Sequence, residues 1–450
     1  MSLRNNSFVL LLSRGRAAAG IAILAAAAAV QAQCPPSFAP AANYPAGTQS
    51  LGLAVGDLNA DGRPDLAVAN VGPFPGNVVI LLGNPGGTLQ WAGSYAAGEG
   101  PFAVAVGDFN ADAKADLAVA NDGSVSVLLG NGNGTFQAAL DYPIPLIYLL
   151  CIAVGEFNGD GKPDLAASGS NSFGAGVDGF YILLGNGNGT FQAAVGYPTT
   201  SSGQFWEIGI DDFNSDGKAD IAVTNTDASG VFVLLGNGNG TFQPAVLYVT
   251  GGEPTALGVS DFNADGKRDL AVGSVSGSQG KASILLGNGN GTFQPAVHFA
   301  VPRGNGTLRI AVGDFNADGR PDLAAAGLYG RVSVLVGNGD GTFRAAVFFE
   351  VGLQFPGDVA AGDFNADGQV DVAASFINGS WPQNSSVSVL LNTSGCYPDC
   401  NHDCQLTVAD FGCFQTKFVL GDMYADCNTD GALTVADFGC LQSAFVLGCR

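Results

Sequence analysis

Seven stretches of this 450-residue chain place oxygen-bearing side chains at relative positions 1, 3, 5 and 9. The first has Asp57, Asn59, Asp61 and Asp65; the second Asp108, Asn110, Asp112 and Asp116; the third Glu156, Asn158, Asp160 and Asp164. The fourth has Asp212, Asn214, Asp216 and Asp220; the fifth Asp261, Asn263, Asp265 and Asp269. The sixth has Asp314, Asn316, Asp318 and Asp322, and the seventh Asp363, Asn365, Asp367 and Asp371. Hard cations such as Ca2+ need oxygen ligands, and a short loop with such residues at alternate positions supplies them. A backbone carbonyl at position 7, for example that of Arg320, adds another, and Gly319 at position 6 permits the sharp turn. The pattern begins like an EF-hand, but position 12 of the sixth loop is Ala325 and a short apolar run follows instead of a helix. The Asp at position 9 is therefore expected to stand in for the twelfth ligand, making each loop a calcium staple between two strands. The metal-free alternative is an Asx-rich turn. Two loops depart from the pattern, with Ala113 in place of glycine and Glu156 at position 1.

The elements that must hold these loops follow from the repeat. Loop starts lie 48 to 56 residues apart, a period that marks a repeat architecture. Within residues 308 to 349, "LRIAVGD" reads as a strand, the acidic loop follows, and "DLAAAG" and "RVSVLVG" read as second and third strands. "NGDGT" is a turn, and "FRAAVFF" a fourth strand. Four antiparallel strands per repeat, set radially, predict an all-β chain folded as a seven-bladed β-propeller. The phenylalanines of "GTF" (Phe136, Phe191, Phe242, Phe293, Phe343) and of "DFN" (Phe109, Phe157, Phe213, Phe262, Phe315, Phe364) are expected to pack between blades. The seventh repeat ends at "VSVLLN" (387–392) without a fourth strand, while "SFAPAANYP" (37–45) matches "TFQAALDYP" (135–143). An N-terminal strand beginning at Phe38 is thus expected to close the ring and remove an exposed edge.

These repeats resemble the FG-GAP or VCBS repeats of integrin α-subunit propellers and their bacterial secreted relatives, over roughly residues 35 to 394. The resemblance implies a structural role for the calcium loops and no particular activity, because the family spans adhesion receptors, lectins and domains attached to polysaccharide lyases.

Beyond Cys396 the composition changes. Asp399, Asn401, Asp403, Thr407 and Asp410 occupy positions 1, 3, 5, 9 and 12 of one loop, and Asp426, Asn428, Asp430, Thr434 and Asp437 repeat the set. "VADFGCFQTKFVLG" and "VADFGCLQSAFVLG" follow as short amphipathic helices. This segment resembles a dockerin of the GC type, which implies two further calcium ions and a cohesin-like or other surface anchor as partner. Val-Ala replaces the usual docking Ser/Thr pair in both copies, and Cys404 stands where the second loop has Gly431. A stand-alone calcium-stabilised cap is the alternative.

The ends and the charge bound the rest. Arg4, Arg14 and Arg16 precede an apolar run from Ala17 to Val30, and cleavage after Ala32 is expected. The domain reading is a signal peptide at 1–32, the propeller at 33–394 and the dockerin-like module at 395–450. The expectation is a secreted, extracellular or cell-surface bacterial protein with no transmembrane segment after signal removal. The remainder carries 14 basic and 39 acidic residues, a net of −25, which argues against nucleic acid as partner. Six of nine cysteines fall between Cys400 and Cys449 and read as disulfides of a small module. Cys34 and Cys396 flank the cut turn of the closing strand pair and are expected to bridge it. The competing assignment pairs Cys396 within the module and leaves Cys34 exposed or lipidated. Cys151 is expected as a buried free thiol.

For function, the loops joining strands 1–2 and 3–4 fill one face with calcium sites and Gly/Asn turns. The opposite loops vary and carry Phe74, Phe102, Tyr148, Phe173, Phe205, Trp206, Tyr329, Phe355 and Trp381, a candidate ligand-binding face for a glycan or a protein. No catalytic residue is assigned: His298 and His402 are the only histidines, and nearly all Asp is committed to loops. The expected function is a binding or adhesion module, with a polysaccharide-active lyase or glycosidase as the alternative.

Overall fold

The computed structural model describes residues 35–394 except 73–75, 147, 171–178, 200, 278, 302–307, 328–329, 352–354 and 378–383. The signal segment, the Cys34–Cys396 bridge and the dockerin-like module with all ten of its loop residues lie outside the described residues. The regular structure described is all β. The second to sixth repeats each form a four-stranded antiparallel sheet, and the first and seventh share a seven-stranded one.

The strands follow the repeat as expected, apart from the fourth. In the sixth repeat they run Arg309–Gly313, Asp322–Gly327, Arg331–Leu335 and Val347–Glu350. The fourth strand thus begins four residues later than the "GTF" phenylalanine, which makes only an isolated bridge, Gly337 to Phe343. Second strands such as Asp116–Asn121 and Asp220–Asn225 are buried at every residue. Both faces of each sheet are covered by neighbouring sheets, so small and branched residues run without alternation. Outer strands such as Leu140–Pro143 border solvent and are mostly exposed.

The core is divided into layers between successive repeats. Phe109 of the second repeat packs with Leu165 and Leu183 of the third, and Phe364 of the seventh packs with Leu66 and Leu81 of the first. The "DFN" ring of one repeat meets the "GTF" ring of the next edge-on: Phe109 and Phe191 at 5.5 Å, Phe157 and Phe242 at 5.7 Å, Phe213 and Phe293 at 5.6 Å. Each such buried ring contributes about 1.5–3 kcal/mol of transfer free energy. Backbone bonds interlock the same neighbours. The turns of the second to sixth repeats each donate to the acidic loop of the repeat before, as Gly134 N does to Leu58 O at 2.9 Å and Gly240 N to Phe157 O at 2.7 Å.

The first and last repeats meet through one strand, Ala42–Gly56. Its first half, Ala42 to Thr48, pairs with Asn384–Leu390, and its second half, Thr48 to Gly56, pairs with Asp65–Gly72. The corner between the halves needs Gly47, at φ 109°, where a Cβ would stand 2.8 Å from the Asn70 side chain. Phe38 bridges to Asn392 as the sequence match expects, and its ring lies 6.3 Å from Phe315, the "DFN" ring of the sixth repeat. No turn exists here to donate to Phe315 O, and the Asn392 side chain does so instead at 3.1 Å.

Candidate functional site

The seven acidic loops share one geometry. At position 1, Asp57 accepts hydrogen bonds from Asp61 N and Gly62 N at 3.1 and 2.9 Å, and Asn59 Oδ1 accepts from Asp61 N at 2.9 Å. Position 5, Asp61, accepts from Arg63 N at 3.0 Å. Glu156, the longer side chain at position 1 of the third loop, shifts this capping towards the loop start, accepting from Asn158, Gly159 and Asp160 N–H groups at 3.0, 2.6 and 3.2 Å. The backbone at position 4 is left-handed even where the residue is not glycine, as at Ala60 and Ser215 with φ of 60° and 61°. Ala113 takes the place of glycine at position 6 with φ 62°.

Position 9 has a role that sequence reasoning missed. Asp65 is fully buried, and its two oxygens accept from Leu58 N at 2.8 Å and Gly83 N at 2.7 Å. It therefore ties the start of the loop to the end of the third strand. The same bracket recurs in every repeat, and in the seventh the second donor is Asn392 N at 2.6 Å. Burial pushes the carboxyls of Asp65, Asp220 and Asp269 up to about 6 and those of Asp322 and Asp371 to about 7. The two N–H bonds pull each one back, and the carboxylates at positions 5 and 1 push it further.

The donor chemistry fits a hard cation. The side-chain donors at positions 1, 3, 5 and 9 are all oxygen, and the carboxylates of one loop repel each other. A basic side chain at position 7 already acts as a stand-in. Arg63 lies 2.9 Å from Asp61, Lys114 3.1 Å from Asp112 and Lys162 3.0 Å from Asp160, and these bonds hold the three carboxyls below their ordinary range. In this arrangement the carboxylates cap backbone N–H groups, and among the described residues no three Asp, Glu, His or Cys side chains converge at metal-binding distances.

The aromatic candidates separate. Tyr148 is 48% exposed. Phe102 and Trp206 are half-buried and meet edge-on at 6.1 Å, and the Arg309 guanidinium sits 5.3 Å from the Trp206 ring centre. Phe205 is corrected: it is fully buried against Phe232, facing the core between repeats and not solvent. Phe355 begins the seventh inner strand, and Phe74, Phe173, Tyr329 and Trp381 lie outside the described residues. Trp91, not among the candidates, is 59% exposed on the outer strand Leu89–Ala96. Cys151 is a buried free thiol as expected.

His298 has a serine partner that its sequence neighbourhood did not reveal, Ser283 Oγ at 2.9 Å across the third and fourth strands. The same cross-strand position holds Ser126 with Asp141 and Ser388 with Asn43. The pair is thus one variant of a polar rung in the repeat, and among the described residues no third group is bonded to it to orient it as a nucleophile and base.

FG-GAP-like repeats match residues 57–119, 108–167, 157–223, 212–272, 261–325 and 314–374. No curated protein matches the chain. Among solved structures, BBS1N, in complex with ARL6DN and soaked with lead, is 14% identical with a TM-score of 0.53 over 79% of this chain and 96% of that one. An Agrocybe aegerita lectin that recognises non-reducing terminal N-acetylglucosamine is 20% identical with a TM-score of 0.49 over 77% of this chain and 86% of that one. The repeated sheets, the recurring acidic loops and the matched repeats together place this chain in the FG-GAP-like repeat family of β-propellers.

Proposed function

We propose that the chain is a secreted, calcium-binding propeller of seven blades that binds a glycan or protein ligand. Its C-terminal dockerin-like segment tethers it to a surface or complex. One asymmetry carries the reading. The end of the sheets that bears the acidic loops and the Gly/Asn turns is nearly the same in every repeat and is locked by bonds such as Gly134 N to Leu58 O. The opposite end varies and carries the exposed Tyr148 and the half-buried pair Phe102 and Trp206. A uniform end serves the ring, and a varied end with aromatic side chains suits one ligand.

In each loop, positions 1, 3, 5 and 9 would hold Ca2+, with the position 7 carbonyl. The ion supplies the positive charge that the crowded carboxylates lack. The protein's own part is to fix the donors in place: the position 9 bracket anchors one side, and the left-handed residue at position 4 turns the chain around the ion.

A glycan array probed with the full chain in calcium tests the reading, beside a lyase and hydrolase screen. Saturable binding that Tyr148→Ala weakens about tenfold, a loss of about 1.4 kcal/mol, with an unchanged melting temperature, is the expected result. Polysaccharide cleavage without binding at the aromatic end would favour the enzyme alternative instead.

A further inference from the structure

One register of the inner strands varies widely in charge and reactivity from repeat to repeat. Five residues before the first residue of each acidic loop stand Gly52, Ala103, Cys151, Glu207, Ala256, Arg309 and Asp358. The next three positions are Leu, Val, Ile, Ala or Gly in every repeat. The four reactive or charged residues of this register come from four repeats, and the inner strands bring them together at the centre. Cys151 Sγ donates to Glu207 Oε1 at 3.4 Å, and Arg309 Nη1 donates to Glu207 Oε2 at 3.3 Å.

Both acids sit in β-bulges. Trp206 and Glu207 together oppose Thr224, and Gly357 and Asp358 together oppose Ser375. The hydroxyls of those partners hold the bulges, accepting from Glu207 N at 3.0 Å and from Asp358 N at 2.9 Å. A bulge re-aims the side chain it carries, and here both carboxylates line one cavity of about 80 Å³. A single water needs only about 10–15 Å³ of such space, so the cavity has room for roughly five to eight small heavy atoms. Its other wall is apolar, formed by Leu51, Phe102 and Leu150 among others.

The charges do not balance. Two carboxylates share one guanidinium, and burial keeps the Cys151 thiol protonated. Arg309, with its side chain 7% exposed, is pinned by bonds to Thr255 O at 3.1 Å and Gly357 O at 3.2 Å and by the Trp206 ring, so it cannot shift to serve both acids fully. Glu207 keeps 30% of its side chain open. Asp358 accepts backbone bonds from Leu53 N at 3.0 Å and Val359 N at 2.9 Å, so its oxygens are bonded but its charge has no cation of its own, and a second cation in the cavity would neutralise it.

We propose that this central pocket binds a small primary alkylammonium compound, its cationic head between Glu207 and Asp358 and its short body against Leu51, Phe102 and Leu150. Glu207 must be ionised for this. Burial pushes its carboxyl up to about 7, with Arg309 pulling it down, Asp358 pushing it up and the Cys151 thiol pulling it down. Burial raises Asp358 as well.

The test is calorimetric titration of propylammonium into the full chain, in calcium, at pH 8.5 and 5.5. The probe stays charged at both values. One-site binding is expected at pH 8.5 and about thirtyfold weaker binding at pH 5.5, from the Glu207 value. Glu207→Gln should abolish binding by removing charge, and Ala103→Leu by filling the cavity with the charges intact. Absence of saturable binding by the wild type at pH 8.5 overturns the proposal, as does binding that neither folded variant weakens. Potassium ions that displace the probe at equal concentration would assign an inorganic cation site and overturn it too. Should a variant fail to fold, the wild-type pH profile and the potassium competition still decide.

Discussion

Replacement of Asn392 by Ala should open the seam where the ring closes. The side chain is almost fully buried. Its amide donates to Phe315 O at 3.1 Å and Val370 O at 2.9 Å, and its carbonyl accepts from Ser394 N at 2.8 Å. Three bonds go, each worth about 0.5–1.5 kcal/mol net and up to about 3 where the partner stays buried and unpaired. A loss of about 3–5 kcal/mol follows. At about 2.1 cal/mol/K per residue, a ring of this size has an unfolding entropy of roughly 0.75 kcal/mol/K, so the melting temperature should fall by about 4–7 °C. Asn392→Asp sharpens the test. It keeps the volume and the acceptor for Ser394 N but turns a carboxylate oxygen towards two carbonyls, so it should be worse than Ala. Asn338→Ala is the control, because its half-buried amide makes two bonds within reach of solvent, to Thr342 Oγ1 at 2.8 Å and from Arg344 Nε at 3.4 Å, and should cost about 1 kcal/mol. Scanning calorimetry in saturating calcium measures all three. Melting temperatures of the two Asn392 variants within a degree of the control would refute the role of this side chain as the substitute for the missing turn.

Two further expectations concern the loops. Chelation should lower the melting temperature by well over a few degrees, since each site at ten times its Kd adds about 1.4 kcal/mol; an unchanged melt in chelator removes the metal from the loops. Ala113→Gly should stabilise by about 0.5–1 kcal/mol, because a left-handed non-glycine residue costs roughly 1–2 kcal/mol and glycine returns part of that as unfolded-state entropy. At the equivalent Gly62, Gly217 and Gly319 a Cβ meets nothing within 4 Å, so no packing is lost, and a destabilised variant in urea titration would contradict this account.

What could be read before the structure was whatever repeats locally. The acidic loops, the four strands and the phenylalanine pairs each recur within one period, and the closing strand from Phe38 was visible because its sequence copies residues 135–143. Phe205 and Trp206 show where local reading fails. They are neighbours in sequence, and a bulge that opposes both Trp206 and Glu207 to Thr224 decides which ring enters the core. No residue type signals that extra position. The Glu207, Arg309 and Asp358 cluster was hidden for a different reason: its members are separated by up to 151 positions, from 207 to 358. Their common offset from the acidic loops was the available signal. The bracket at position 9 was obscured because a carboxylate that caps two backbone N–H groups looks in sequence the same as one that holds an ion.

The shared strand Ala42–Gly56 also sets the order in which the molecule can be finished. Asn43 and Ser388, bonded at 2.5 Å, are 345 positions apart, so a chain emerging from its N-terminus presents the closing strand long before the slot it fills. Until Asn384–Leu390 arrives, the first half of that strand has no partner, and afterwards the slot remains open until it docks. The entropy of joining such distant ends grows only logarithmically with length, so docking within one chain is favoured when molecules are dilute. At high concentration the same slot accepts the N-terminal strand of another copy, with the same hydrogen bonds and the same Phe38 contact. Closed monomers and strand-exchanged dimers would then differ only in which molecule supplies residues 37–48, and refolding at increasing concentration would shift one into the other.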